Sequence, residues 1–160
     1  WWPGETLSVS IGQSFLLATP LQIARMISSI FTGFLVKPRI LETDLIEVKP
    51  LLIHQSTRDF LKESMKFVVA SGTGKRINTV KDIEIYAKTS TAQTSDFQKR
   101  KLGNEFFEHA WFVAYFQYKQ HEPLVFVIMI ENAGTSQVAT TVAKRFLIAY
   151  KDLIEEQKCL

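Results

Sequence analysis

The sequence predicts an α+β fold, an antiparallel sheet flanked by helices, and three observations carry that prediction. Residues 83–87, 109–116 and 124–130 are runs of branched and aromatic residues, the composition of strands. Stretches with apolar residues at helical spacing stand on either side of them. No internal repeat, low-complexity tract or Pro/Gly/Ser linker divides the 160 residues, so the elements belong to one structural unit. The predicted order is helix, helix, strand, strand, strand, helix.

Gly4 to Ala18 reads as irregular and rich in small residues. A helix start follows. Thr19 is a good N-cap, Pro20 suits the first helical position, and Gln22 stands three residues after Thr19 as in a capping box. Ile23, Met26, Ile27, Ile30, Phe31 and Phe34 give one apolar face, and Gly33 and Pro38 mark the end. Arg25, Ser28 and Ser29 interrupt the helix, so it is a buried helix and not a membrane one. A second helix is predicted from Ser56, its cap, to Ala70, with Asp59 at the positive end and Phe60, Leu61, Met65, Val68 and Val69 on the apolar side.

Ser71-Gly72-Thr73-Gly74 stops that helix. Its Gly-x-Gly follows a helix and leads into a polar loop, the wrong order for a phosphate loop, so it is read as a turn. A strand begins at Ile83, and a polar loop covers Thr94 to Glu108. His109–Phe116 and Leu124–Ile130 form a hairpin across Lys119 to Pro123, and the second of them is apolar throughout, as in a strand covered on both faces. A long helix closes the chain from Ser136 to Glu156, with Val138, Val142, Phe146, Ala149 and Leu153 on one side.

Composition excludes several function classes. At 46% hydrophobic and 22% charged the chain is globular, and its net charge of +3 is mild. The basic run Lys99-Arg100-Lys101 reads as a solvated loop, since no spread basic face supports nucleic-acid binding. One cysteine, Cys159, excludes an internal disulfide and a cysteine zinc site, and His54, His109 and His121 are scattered, so no metal is expected. No run approaches the ~18 apolar residues of a membrane span. The start, Trp1-Trp2-Pro3-Gly4, lacks Met, which favours a piece or a processed product, with any anchor upstream.

The chemistry concentrates at Lys88-Thr89-Ser90-Thr91-Ala92-Gln93, directly after the alternating strand Ile83–Ala87. Lys88 offers a fixed positive charge that attracts a carboxylate, and the Thr89 and Thr91 hydroxyls can hydrogen-bond one. The Thr91 N–H is a candidate oxyanion donor, worth roughly 3 kcal/mol of barrier. Alternation places Lys88 and Ser90 on one face and Thr89 and Thr91 on the other, so both sets serve one site only along the strand's edge. The competing reading is a polar end to a half-exposed strand. Ser90 itself is a poor nucleophile, since it lies about 7 Å from Lys88, two strand residues away.

The hexapeptide is one residue from Lys-Thr-Gly-Thr-Ala-Gln, a signature of penicillin-binding proteins and related serine acyl-enzymes. Pro3-Gly4-Glu5-Thr6-Leu7-Ser8, Ser10-Ile11-Gly12-Gln13, Thr19-Pro20-Leu21-Gln22-Ile23-Ala24, Gly72-Thr73-Gly74, His109-Ala110-Trp111-Phe112 and Glu131-Asn132-Ala133-Gly134 follow the same pattern in order and spacing. From Trp2 to Tyr150 the chain resembles class B penicillin-binding transpeptidases, the elongation type above all.

The resemblance implies the penicillin-binding/serine β-lactamase-like fold and a periplasmic enzyme, anchored in the inner membrane, that cross-links peptidoglycan stem peptides. It also implies acylation by β-lactams, a membrane glycosyltransferase as partner and no cofactor. On that pattern Lys88 orders the hydrogen-bond network, Thr89 grips the carboxylate, and Thr91 lends its N–H to the oxyanion hole. Ser90 belongs to the substrate-binding strand, and His109 and Trp111 support it by packing from behind.

The family's Ser-x-x-Lys and Ser-x-Asn signatures are absent from the sequence. Residues 1–160 are therefore expected to be the C-terminal portion of a transpeptidase domain, inactive and marginally soluble alone, whose nucleophile lies upstream. Two departures stand out: Ser90 replaces a Gly where the strand passes the nucleophile's helix, and Ser14 replaces a Gly in a turn. Ser90 favours the alternative of a non-catalytic penicillin-recognising or partner-binding domain with the same fold. A serine β-lactamase shares the strand signature but fits 19–24 and 109–112 less well.

Overall fold

The alternating residues predicted as strands form one three-stranded antiparallel sheet in a computed structural model that describes residues 1–94 and 97–157. Strand β3 (Ile83–Ala92) pairs with β4 (His109–Tyr118), which pairs with β5 (Leu124–Ile130), in the order β3-β4-β5. The register sets Lys88 opposite Val113, Ser90 opposite Trp111 and Thr91 opposite Ala110. β4 is the central strand, and β3 lies at an edge.

Helices cover both faces. On one, α4 (Ser136–Gln157) brings Ala139, Ala143 and Leu147 against Ala87, Phe112 and Ala114. On the other, α2 (Pro20–Thr32) and α3 (Gln55–Ala70) bring Ile27, Ile30 and Met65 against Val113. Phe31 stacks on Tyr115 with ring centroids 3.9 Å apart, edge-on to Tyr86. Burial, and then the Glu84 carboxylate that accepts the Tyr86 hydroxyl at 2.7 Å, push the Tyr86 phenol up to about 12.

The start of α2 follows the sequence closely. The Thr19 hydroxyl accepts from the Gln22 N–H at 3.2 Å, the Gln22 side chain accepts from the Thr19 N–H at 2.8 Å, and Gly33 ends the helix at φ 83°. Thr19→Ala should cost about 1 kcal/mol, read as a lower urea midpoint at unchanged slope.

Elsewhere the structure corrects the sequence reading. The segment expected to be irregular holds α1 (Pro3–Ser10), with Pro3 in its first turn; none of its residues is buried, so no apolar face announces it. A two-stranded ribbon, β1 (Phe34–Val36) and β2 (Val48–Pro50), follows α2. Phe34 and Met26 are half exposed, and Phe60 is 71% exposed. The cap of α3 is His54, not Ser56: its ring accepts from the Ser56 N–H at 3.3 Å, because a neutral imidazole has one acceptor nitrogen.

The buried stripe of α4 is Ala139, Thr140, Ala143 and Leu147, one residue round from the predicted Val138, Val142, Phe146, Ala149 and Leu153. Alanines let the helix approach the sheet closely, while bulky Phe146 sits at the flank, 4.9 Å from the Phe126 ring. β5 is half buried along most of its length, as an edge strand, not fully covered. Within the polar loop, 3₁₀ turns form at Phe97–Lys101 and Asn104–Phe106. Arg100 there is not merely solvated: it pairs with Glu108, which is buried. Cys159 lies outside the described residues. Among the described residues no helix is long and apolar enough to cross a membrane.

Candidate active site

The site is built on the outer edge of β3. Lys88 and Ser90 are exposed on one face, as alternation requires, and line a cavity of about 310 Å³ with Trp111 and Val113 from β4 and Ile23 and Met26 from α2. Lys88 also borders a second cavity, between α2 and α3, of about 690 Å³. Trp111 therefore faces the cavity rather than backing the strand.

Thr89 points the other way. It is 5% exposed, and its hydroxyl shares a 2.5 Å hydrogen bond with the Thr73 hydroxyl. The turn that carries Thr73 is held tightly against α3: a Cβ on Gly72 would stand 2.9 Å from the Val68 Cα. The Gly-Thr-Gly turn is thus fixed to the strand through Thr73, a contact that sequence reading missed.

Backbone groups define the edge itself. A strand residue's N–H and C=O point to the same side. The Thr89 carbonyl accepts from the Lys88 ammonium at 2.7 Å, and the Thr91 carbonyl accepts from the Gln13 side-chain amide at 3.0 Å. Both carbonyls thus face away from β4, and so do the N–H groups of Thr89 and Thr91. The Gln93 N–H in turn donates to the Gln13 side-chain oxygen at 3.2 Å. Among the described residues nothing occupies the Thr91 N–H, which lies between a carbonyl capped by a cation and one capped by an amide.

Two further contacts hold this end of the strand. The His109 Nδ1 accepts from the Asn132 N–H at 3.0 Å, so neutral His109 carries its proton on Nε2. The Glu108 carbonyl accepts from the Gly134 N–H at 2.9 Å. Together they tie the return of the β3–β4 loop to the turn before α4. Asn132 sits in the left-handed region at φ 53°, which Asn tolerates better than most residues. His109 thus supports the strand by a specific hydrogen bond beyond packing.

This arrangement can bind an anion at the edge of β3, near a cation and beside an apolar cavity. A tetrahedral oxyanion and a carboxylate both meet that description. Of the predicted residues, the edge gathers the Lys88 ammonium and the Thr91 N–H, and Ser90 lies on the adjoining face. It leaves the Thr89 hydroxyl behind the strand.

Residues 1–148 match the family model described as penicillin binding protein transpeptidase domain. Peptidoglycan D,D-transpeptidase MrdA of Haemophilus influenzae is 30% identical over 94% of this chain and 26% of its own length. The Acinetobacter baumannii protein of the same name is 34% identical over 90% of the chain and 24% of its length. The chain thus spans about a quarter of the length of these curated relatives. Among solved structures, penicillin-binding protein PBP2 of Helicobacter pylori in complex with MreC superposes with a TM-score of 0.77 at 26% identity, covering 94% of this chain and 28% of that one. PBP2 of Pseudomonas aeruginosa in complex with WCK 5153 superposes with a TM-score of 0.67 at 27% identity, covering 94% and 33%.

Proposed function

Because the chain belongs to the penicillin-binding protein transpeptidase domain family, we propose that it is the C-terminal portion of a peptidoglycan D,D-transpeptidase and supplies that enzyme's Lys-Thr-Ser-Thr strand. A serine from the preceding portion attacks the carbonyl of the donor stem peptide or of a β-lactam. The carbonyl oxygen takes up negative charge and binds the Thr91 N–H opposite a second donor beside that serine. Collapse breaks the C–N bond and forms the acyl-enzyme, and the serine's proton passes to the nitrogen, which departs as an amine from a stem peptide and stays attached in the opened ring of a β-lactam. Lys88 orders the hydrogen bonds around the serine and draws in the substrate carboxylate, while Thr91 serves through its N–H, its side chain lying on the same face of the strand as that of Thr89. Thr89 acts through its backbone and its bond to Thr73, rather than as a carboxylate grip.

The observation that carries this reading is the Thr91 N–H, which has no partner among the described residues and lies between two capped carbonyls on an open strand edge. The family pattern supports placement on the periplasmic face of the inner membrane and a membrane glycosyltransferase as partner. The complex of Helicobacter pylori PBP2 with MreC supports work within a larger assembly.

The test is covalent penicillin labelling, followed by intact mass, of this chain joined to the sequence that naturally precedes it. A stable single adduct is expected. No adduct from a folded sample would favour the second reading, a non-catalytic penicillin-recognising or partner-binding domain. Ser90 is the observation behind that reading: its side chain stands on the cavity face beside Lys88, where the family has no side chain.

A further inference from the structure

We propose that Gln13 is a positioning residue for acyl transfer, holding the Thr91 N–H in place and keeping its surroundings fit for negative charge. This rests on the reading of the chain as part of a transpeptidase.

The geometry is that of a strand mimic. Gln13 donates through its amide nitrogen to the Thr91 carbonyl at 3.0 Å and accepts through its amide oxygen from the Gln93 N–H at 3.2 Å. A primary amide side chain offers a donor and an acceptor side by side, as a peptide group does. One residue thereby completes the edge of β3 just beyond Thr91. The contact spans 78 residues, so it is tertiary and not local.

The turn that presents Gln13 is built for it. Gly12 at φ 77° and Ser14 at φ 64° both lie in the left-handed region, so the chain reverses on either side of Gln13. The Gln13 N–H donates to the Ser8 carbonyl at 2.9 Å, the Gly12 N–H donates to the Val9 carbonyl at 2.9 Å, and the Ser14 hydroxyl binds Glu5. The end of α1 therefore anchors the turn, and Gln13 is half buried against the strand. Ser14 accepts the strained backbone and adds the tie to Glu5.

Two effects follow. First, the side chain fixes the height of the strand at Thr91, and displacement of a reacting group by 1 Å can cost roughly 10²-fold in rate. Second, it occupies a carbonyl next to the open N–H. An unpaired carbonyl there would present its negative end to a developing oxyanion; donation from Gln13 offsets that field, as the Lys88 ammonium does at Thr89. Both effects act on the transition state more than on the bound ground state, so they appear in the acylation step.

The experiment uses the natural full-length protein and benzylpenicillin as probe. It measures the noncovalent dissociation constant and the acylation rate constant separately, with thermal midpoints alongside. Gln13→Ala should lower the acylation rate constant roughly tenfold, less than the 10²–10³-fold of deleting an oxyanion donor itself, with the dissociation constant within twofold and the thermal midpoint nearly unchanged. Gln13→Glu keeps the shape and the acceptor for Gln93 but turns an oxygen and a charge toward the Thr91 carbonyl, so its rate should fall further than that of Gln13→Ala. If Gln13→Ala does not fold, the isosteric Gln13→Glu variant supplies the test in its place. An unchanged acylation rate in a folded variant, or a change confined to the dissociation constant, would overturn the proposal. Failure of the wild-type protein to be labelled would overturn the transpeptidase reading first, and this inference with it.

Discussion

Thr91→Pro should lower the acylation rate by roughly 10²–10³-fold, the usual loss on removing one oxyanion donor, while the protein stays folded. The substitution is sharp because of where the lost group points. The Thr91 carbonyl faces Gln13, so the N–H of the same residue faces the open edge and takes no part in the ladder to β4. Proline is tolerated at edge positions whose N–H faces outward. It removes the donor while retaining the Ala110 pairing, the Gln13 contact and the approximate course of the chain. Thr91→Val is the companion: it removes the hydroxyl and keeps the N–H, so its loss should be much smaller. Acylation rates from stopped-flow or intact mass, with thermal midpoints for both variants, decide the matter. Equal losses would place the chemistry at the hydroxyl; a collapsed midpoint in Thr91→Pro would mean the strand cannot accept proline.

The strand that carries these residues was legible because its pattern is local. Alternation alone put Lys88 and Ser90 on one face and Thr89 on the other, and the capping residues Thr19 and Gln22 announced α2 within four positions. Alternation also implied that one site could use both sets only along the edge, where the Lys88 ammonium and Thr91 carbonyl contacts lie. What escaped was non-local or quiet. Gln13 reaches β3 across 78 residues through one amide, and a single polar contact leaves no periodic trace. The ribbon of β1 and β2 rests on three residues a side, too few for a strand signal. α1 buries nothing, so only Pro3 marked it. In α4 the bulky Val142 and Phe146 suggest the buried stripe, but Ala139 and Ala143 face the sheet, because close packing there needs small side chains. Thr89 is a related case: sequence gives the face of a hydroxyl, but not that Thr73 stands behind it.

Lys88→Met should reduce acylation on the order of 10²-fold or more, the scale of losing a fixed charge aimed at developing negative charge. Methionine keeps an unbranched apolar stem of similar length, so the apolar cavities that Lys88 borders keep their walls while the charge disappears. Two things are lost with the ammonium. The Thr89 carbonyl loses its donor and again turns an unpaired negative end toward the site, on the side of Thr91 opposite Gln13. The edge also loses a positive charge that draws in the substrate carboxylate, so the dissociation constant for penicillin should rise as well. Lys88→Arg separates these effects. Arginine restores the charge, but its planar fork cannot place one compact cation 2.7 Å from the Thr89 carbonyl in the same space. Affinity should therefore return in part while the acylation rate stays low. Full recovery of the rate with arginine would mean that Lys88 acts only as a distant charge, and the geometric account of the β3 edge would fall.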